Sequence, residues 1–165
     1  MILETPRLYL RPLQETDEYR MSEYRQKAEV AKYQSWKTYS VSTAKKRIQA
    51  CLTVQDYKKP RTNYHLGIVL KTDDILIGDL FVDVLNKNVF VLGYTLDSTY
   101  WSCGYASEMV DAFLHYMHDI NHFQKVLCYV YKENERSIHL LKKLGFHKFE
   151  ESYFYGDVGY SKILE

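Results

Sequence analysis

The segment from residue 89 to residue 131 constrains the fold more than any other part of the chain. It begins with an apolar stretch from Val89 to Leu96 and ends with another, "KVLCYVY", at 125–131, and both are the length of a strand. Between them lies an amphipathic helix with an inward apolar stripe, formed by Met109, Val110, Phe113, Leu114 and Met117. A strand–helix–strand connection within one sheet is right-handed and joins parallel strands, so the segment predicts a βαβ unit.

The rest of the chain predicts antiparallel strands and further helices. The turn signals "TDD" (72–74) and "NKN" (86–88) separate apolar runs and indicate a meander of three strands ending at Leu96. Before the meander we predict a short strand at 7–13 and two helices. The first helix runs from a Thr16 or Asp17 cap to about Lys32, and the second runs from a Ser42 cap to about Asp56.

The C-terminal part predicts one more helix and a hairpin. Asn134 caps a helix that ends at Gly145, and residues 153–165 are predicted as a closing hairpin. The predicted fold class is α+β, with a mixed, mostly antiparallel sheet of six to seven strands and about four helices. We predict that residues 1–165 form a single domain, because the length is typical of one domain and no linker interrupts it.

Composition excludes several functional classes. The net charge is +1, from 22 basic and 21 acidic residues, so neither nucleic acid nor an anionic membrane is an expected partner. The apolar runs are too short for a spanning helix, and the N-terminus lacks the apolar region of a signal peptide. Cys51, Cys103 and Cys128 form no CxxC pair, which disfavours disulfides and zinc and indicates a reducing cytoplasm.

Small residues lie where the helix of the βαβ unit begins. Ser102, Cys103, Gly104 and Ala106 precede or open this helix. A helix N-terminus exposes free N–H groups and carries partial positive charge, so a strand–turn–helix junction of this kind can hold an anionic group. Packing alone also explains small residues here, and the spacing matches neither the Walker loop nor the dinucleotide fingerprint.

Two longer motifs carry a resemblance to a known family. "LGYTLDSTYWSCGYASEMVDAF" (92–113) and "YVYKENERSIHLLKKLGF" (129–146) together resemble the GNAT family of N-acetyltransferases. Within that family the chain is similar to the branch that acetylates the N-termini of ribosomal proteins, through "TPRLYLRPL" (5–13) and "KTDDILIGDLFV" (71–82). The resemblance covers nearly the whole chain and implies a GNAT-like fold with its cofactor site at the βαβ unit.

The resemblance also implies roles for individual residues. The turn before the helix would bind the pyrophosphate of acetyl-CoA through backbone amides, and its residues are Trp101, Ser102, Cys103, Gly104, Tyr105 and Ala106. The end of the preceding strand would pair with the pantetheine arm through Tyr94, Thr95 and Leu96. Asn134 would contact the same arm, and Ser137 would lie near the sulfur and donate a proton to the leaving thiolate.

The sequence departs from the family pattern at several of these positions. Ser102 stands where the family usually has a glycine, and Cys103 stands where it has a basic residue or a glutamine. A loop that binds its ligand through main-chain donors tolerates both changes. Leu141 stands where many relatives carry a tyrosine acid, and Val91 stands where many carry a glutamate. Direct attack by a neutral amine on a thioester needs no strong base, because proximity and oxyanion stabilisation supply most of the catalysis.

Each candidate also has a plainer interpretation. Ser137 is an ordinary third residue of a helix, Asn134 an ordinary cap, and Tyr94 either a core aromatic or part of the substrate wall. Trp36 and Tyr39, in the aromatic loop "KYQSWKTY" (32–39), either contact the acceptor amine or fill space.

Two further chemistries are weighed and set aside. Cys103 is expected to be a reactive thiol protected by acetyl-CoA, but not a nucleophile, because no histidine or acid lies near it in sequence. A row of histidines, His115, His118 and His122, suggests a metal-binding protein, but a solvated helix face explains the row better, so no metal is predicted.

The predicted function is therefore an acetyl-CoA-dependent N-acetyltransferase that acts in a ternary complex. Its acceptor is a small amine or the N-terminus of a peptide, and the chain is a monomer or a homodimer. Two alternatives remain open: a longer acyl group or a hydroxyl acceptor on the same fold, and a CoA-binding sensor without turnover.

Overall fold

A single sheet connects most of the chain. The computed structural model describes residues 1–151 and 157–165, and within these residues eight strands lie in the order β1-β2-β3-β4-β5-β6-β8-β7. The strands are β1 (Leu3–Glu4), β2 (Leu8–Pro12), β3 (Thr62–Leu70), β4 (Ile75–Val84), β5 (Val89–Leu96), β6 (Lys125–Tyr131), β7 (His147–Glu151) and β8 (Asp157–Ile163).

Five α-helices accompany the strands in the described part of the chain. They are α1 (Glu18–Gln26), α2 (Ala28–Ala31), α3 (Val41–Leu52), α4 (Tyr105–Asp119) and α5 (Glu135–Lys143). None of the helices described here combines the length and the apolar character needed to span a bilayer.

The strand pairing confirms the predicted βαβ unit. β5 and β6 are parallel and are joined through α4, whereas the other neighbouring strands pair in antiparallel fashion. The α+β class and the mostly antiparallel sheet are therefore as predicted. The described residues contain one strand and one helix more than expected.

The buried side chains form two layers, one on each face of the sheet, because side chains alternate between the faces along each strand. Along β3, Tyr64, Leu66, Ile68 and Leu70 belong to the larger buried cluster, which also contains the apolar stripe of α4. Val69, on the opposite face, belongs to a second cluster with side chains of α1 and α3. Because side chains alternate along a strand, α4 and α5 cover one face of the sheet, and α1 and α3 cover the other.

The additional strand and the additional helix arise at a turn and at a break in the first predicted helix. β1 pairs with β2 through Leu3 and Leu10, across the tight Thr5–Pro6 turn. The first helix does not continue to Lys32 as predicted, because Lys27 adopts an extended conformation (ψ 128°) that separates α1 from α2. In this conformation the Lys27 ammonium lies 2.5 Å from Oδ1 of Asp97, beyond the end of β5.

Two predicted boundaries also shift. The cap of α3 is Ser40 rather than Ser42: its Oγ accepts a hydrogen bond of 3.1 Å from the Thr43 amide. The helix ends at Leu52, before the predicted Asp56. The closing hairpin exists as β7 and β8, with its first strand earlier than predicted, and residues 152–156 lie outside the described part.

Candidate active site

A gap opens in the sheet where β5 and β6 diverge. Their parallel pairing covers three residue pairs and ends at Val91 and Leu127. Beyond this point β5 continues along β4 to Leu96, and β6 continues along β8 to Tyr131. The facing edges of the two strands therefore border a cavity of about 790 Å³ instead of each other. Unpaired main-chain groups along such an edge are available to an extended ligand.

The turn between β5 and α4 closes one end of the cavity. Gly104 is the N-cap of α4 and has φ +81°, and Ser102 also has a positive φ of 62°. Gly104 has no side chain to cap the first-turn amides of Tyr105, Ala106 and Ser107, all of which line the cavity. This end of the cavity consequently combines free N–H groups with the positive end of a 15-residue helix.

Arg7, which does not line the cavity, braces this turn. Its Nη1 donates a hydrogen bond of 2.9 Å to the carbonyl oxygen of Cys103, and its Nε lies 2.7 Å from Oε2 of Glu108. The guanidinium also stacks 4.4 Å above the ring of Tyr105. The sequence interpretation missed this contact, although an acid in the first turn of a helix was a usable signal.

Glu108 is held in its charged form by several donors. Thr5 donates through its hydroxyl at 2.6 Å, and the backbone amide of Arg7 adds another bond at 3.0 Å. Partial burial alone raises the pKa of Glu108, but the hydrogen bonds from Thr5 and Arg7 outweigh it and lower the pKa overall. The turn is thus tied to the N-terminal segment by an anchored carboxylate.

Arg136 spans the mouth of the cavity from the side of α5. Its guanidinium stacks 4.4 Å above Trp101, and its Nη1 donates a hydrogen bond of 3.1 Å to the Ser102 hydroxyl. Trp101 in turn donates through Nε1 to the carbonyl oxygen of Leu96, at 2.9 Å. Lys143 also lines the cavity. Cationic side chains and helix amides together favour an anion here.

α5 contributes a hydroxyl to the interior of the cavity. The Asn134 side chain accepts a hydrogen bond of 3.3 Å from the amide of Ser137, which confirms Asn134 as the N-cap. The Ser137 Oγ lies 2.6 Å from the Tyr94 hydroxyl of β5. Burial raises the pKa of Tyr94 well above its ordinary value, with the hydrogen bond to Ser137 acting in the opposite direction.

Most of the predicted site residues line this one cavity. Of the predicted turn residues Cys103 is the exception, since it is exposed and does not line the cavity. The others are brought together as the resemblance implied, namely Tyr94, Thr95, Leu96, Trp101, Ser102, Gly104, Tyr105, Ala106, Asn134 and Ser137.

The two aromatic candidates for acceptor contact are placed elsewhere. Trp36 and Tyr39 pack edge to face, with ring centroids 5.3 Å apart, and neither lines the cavity. Both cover the guanidinium of Arg25, at 4.3 Å and 4.8 Å, and Trp36 donates to the carbonyl oxygen of Arg25 at 2.9 Å. From the same part of the chain, Glu29 and Tyr33 do line the cavity.

Arg25 binds a buried carboxylate on β4. Its Nη2 lies 2.5 Å from Oδ1 of Asp79, which also lies 2.7 Å from Nδ1 of His65, and the Tyr24 hydroxyl donates to the same carboxylate. Burial alone raises the pKa of Asp79, but Arg25 and His65 reverse the shift and lower it strongly. Burial lowers the pKa of His65, against the opposing effect of Asp79.

The histidines of α4 do not assemble into a metal site. Among residues 1–151 and 157–165 there is no cluster of three or more His, Cys, Asp or Glu placed to hold a metal ion. The side chain of His115 is 62% exposed, and Nδ1 of His118 lies 3.1 Å from the carbonyl oxygen of Phe123.

Comparison with protein families identifies one matching model. Residues 7–147 match the model described as the acetyltransferase (GNAT) domain. A curated relative, an uncharacterised N-acetyltransferase p20 from Bacillus licheniformis, is 29% identical over 149 residues. This alignment covers 88% of the present chain and 82% of the relative.

Two solved structures share the fold at low identity. The ribosomal-protein-S5-alanine acetyltransferase from Vibrio fischeri has a TM-score of 0.81 at 17% identity, covering 99% of this chain and 96% of that one. The spermidine N-acetyltransferase from Vibrio cholerae, in complex with CoA and spermine, has a TM-score of 0.81 at 18% identity, with 97% of each chain covered.

Proposed function

Because the chain belongs to the GNAT acetyltransferase family, we propose that it transfers the acetyl group of acetyl-CoA to a primary amine by direct attack in a ternary complex. The observation that carries the proposal is the cavity between the diverging edges of β5 and β6, closed at one end by the amides of α4. Its volume of about 790 Å³ is in the range of small-molecule sites.

The residues present suit acetyl-CoA. The pyrophosphate matches the first-turn amides of α4 and the cationic mouth formed by Arg136 and Lys143. The pantetheine arm carries amides that match the edge of β5 facing β6 beyond Val91, where the pairing of the two strands has ended, as an added strand would.

The chain contributes position and polarity to the reaction. The thioester supplies an acetyl group that is already activated toward a neutral amine. Main-chain N–H groups along β5 are suited to hold the acetyl carbonyl and to stabilise charge on its oxygen. Leu141 and Val91 have hydrocarbon side chains, so neither position supplies an acid or a base. The proposed mechanism therefore uses the bound geometry and solvent rather than a dedicated base.

The acceptor is proposed to be a primary amine, either a small polyamine or a protein N-terminus. The two structural neighbours are named for one acceptor of each kind. In this chain the acceptor side of the cavity carries the carboxylate of Glu29 beside Tyr33 and Gln34. A carboxylate and an aromatic ring both suit a basic amine.

Two matched glycines provide the test. Gly104 and Gly145 have nearly identical φ values of +81° and +82°, but only Gly104 lies at the cavity. Alanine at either position introduces backbone strain of about 1–2 kcal/mol. By calorimetry, Gly104→Ala should weaken acetyl-CoA binding by about tenfold, whereas Gly145→Ala should lose stability and keep its affinity.

Two outcomes contradict the proposal. One is a wild-type protein that binds neither CoA nor acetyl-CoA at millimolar concentration, and the other is an equal loss of affinity in both glycine variants. A thiol-release assay with polyamines and N-terminal peptides then measures turnover. Binding without thiol release from any amine favours the alternative function, a CoA-binding sensor, which the apolar residues Val91 and Leu141 motivate.

A further inference from the structure

We propose that Tyr94 is a positioning residue that turns the hydroxyl hydrogen of Ser137 toward the sulfur of CoA, so that the two hydroxyls form a thiolate-binding site. The inference rests on the proposed function and goes beyond it, because it assigns a task to a strand tyrosine. The observation behind it is the direct contact between two hydroxyl groups that both line the cavity.

The relative acidity of the two hydroxyls assigns Tyr94 as the donor of this contact. Its hydroxyl oxygen lies 2.6 Å from the Ser137 Oγ and 3.4 Å from the Ser137 carbonyl oxygen. Either hydroxyl can donate across the 2.6 Å contact, but a phenol is much more acidic than an aliphatic alcohol, so the phenol is the stronger donor and the serine oxygen the stronger acceptor. With Tyr94 donating, the serine oxygen is occupied as an acceptor and its own hydrogen is free to point elsewhere.

The position of Ser137 in α5 leaves that hydrogen without a preceding helical turn to donate to. A serine inside a helix commonly donates back to the carbonyl oxygen one turn earlier. Ser137 is the third residue of α5, so the residues that precede it by one turn lie at or before the cap. Within the described residues, Tyr94 is the only recorded partner of the Ser137 hydroxyl.

The surroundings of Tyr94 keep it a phenol. Burial raises the pKa of Tyr94, so its proton is retained and the residue orients rather than titrates. Ser137 is 8% exposed, so few competing waters reach it from bulk solvent. A fixed donor in such a site stabilises a negative sulfur more strongly than a rotating hydroxyl in water does.

The proton balance of the transfer is complete without another reagent. The bond between the acceptor nitrogen and the acetyl carbon forms, and the bond from that carbon to sulfur breaks. The sulfur leaves as a thiolate that accepts a hydrogen bond from the Ser137 hydroxyl, which keeps its proton, and the proton released by the nitrogen passes through solvent to protonate CoA when it is released. Tyr94 keeps its proton throughout.

The test measures the acidity of the CoA thiol in the binary complex, where no turnover occurs. Ultraviolet absorbance reports thiolate formation when the CoA complex is titrated with base and referenced to the complex with desulfo-CoA. A Cys103→Ser background removes the exposed protein thiol. In the Cys103→Ser parent, the hydrogen bond from Ser137 to the charged sulfur should lower the pKa of the bound thiol. This pKa should be about one unit lower in the parent than in the variant that also carries Tyr94→Phe.

The variants separate positioning from a structural role. Ser137→Ala should raise the pKa of the bound thiol as much as Tyr94→Phe does or more, and the double variant should match Ser137→Ala alone. Ser137→Thr keeps a hydroxyl and should retain part of the lowering of the thiol pKa. His139→Asn changes an exposed residue of the same cavity wall and should leave the pKa of the thiol unchanged.

The outcomes distinguish this inference from the proposed function. If calorimetry shows that CoA binds to Tyr94→Phe and the pKa of its thiol equals that in the parent, the positioning role is wrong and the proposed function stands. Additive shifts in the double variant also overturn it, because they mean that the two hydroxyls act independently. If the wild-type protein does not bind CoA, both conclusions fail together.

Discussion

Two arginines bind carboxylates and brace segments near the same cavity, one in the interior and the other at the surface. The side chains of Arg25 and Asp79 are 3% and 1% exposed, whereas those of Arg7 and Glu108 are 46% and 18% exposed. Arg25 holds α1 and its following aromatic loop against β4, and Arg7 holds the turn before α4.

The difference in burial assigns different tasks to the two pairs. A buried charge that loses its partner remains without solvation, so the Arg25–Asp79 pair is expected to be required for the fold. An exposed pair is hydrated in either state and contributes little to stability, so Arg7 is expected to adjust the geometry of the turn. Similar chemistry is thus expected to serve folding at one position and the geometry of the proposed ligand site at the other.

The largest expected effect comes from removing the buried arginine. Arg25→Leu leaves the Asp79 carboxylate buried without its main counter-charge and should reduce the free energy of unfolding by about 3–5 kcal/mol. Arg7→Leu is the matched control and should lose at most about 1 kcal/mol. Urea unfolding of both variants measures the difference, and equal losses would break the comparison.

An intermediate effect is expected from His65, which contacts the buried pair. Its folded pKa is lowered by burial, whereas in the unfolded chain histidine titrates near about 6.5. Below about pH 6.5 and down to the folded pKa, the unfolded chain binds the additional proton. Stability attributable to His65 is therefore lost as pH falls through this window, by at most about 1.4 kcal/mol per pH unit.

His65→Asn tests this assignment, because it removes the titrating ring and keeps a side-chain N–H donor for Asp79. Urea unfolding at several pH values should show a flatter acid limb in the variant than in the wild type. His115→Asn changes an exposed histidine and should leave the limb unaltered. An unchanged slope in His65→Asn would show that another group carries the acid sensitivity.

The smallest expected effect is on ligand affinity at the surface pair. Arg7→Leu releases the Cys103 carbonyl group and should weaken acetyl-CoA binding about 2- to 5-fold, the equivalent of up to about 1 kcal/mol. Arg7→Lys keeps the charge without the forked geometry, and its affinity for acetyl-CoA should lie between those of the wild type and Arg7→Leu. Calorimetry provides the measurement, and unchanged affinity in both variants would remove Arg7 from the account of the turn.

The turn before α4 and the start of α5, which border the cavity, were largely predictable from sequence. Gly104 and the apolar stripe of α4 are local patterns, and Asn134 is a cap identified by its position before a helix. The Arg25–Asp79 pair left one faint signal, an acid inside the apolar stretch "ILIGDLFV" of β4. Nothing in that stretch indicates which distant cation neutralises the acid.

The placement of the segment that follows α1 was predicted less well, and the reason is conformational. The sequence places Trp36 and Tyr39 in an aromatic loop, but the extended backbone at Lys27 ends α1 early. Glu29 and Tyr33 then line the cavity, while Trp36 and Tyr39 cover Arg25. The charged contact between Lys27 and Asp97 stabilises this break, and it joins residues far apart in sequence.

By itself, the sequence determined most of the order of strands and helices, the parallel pair around α4 and the free amides that follow Gly104. These features follow from periodicity and backbone preferences, which act over a few neighbouring residues. Only the tertiary structure decided that Tyr94 meets Ser137, 43 residues away, and that Arg25 meets Asp79, 54 residues away. Such contacts depend on how the helices settle on the sheet, because a hydrogen bond needs placement within a few tenths of an ångström and no local pattern specifies it.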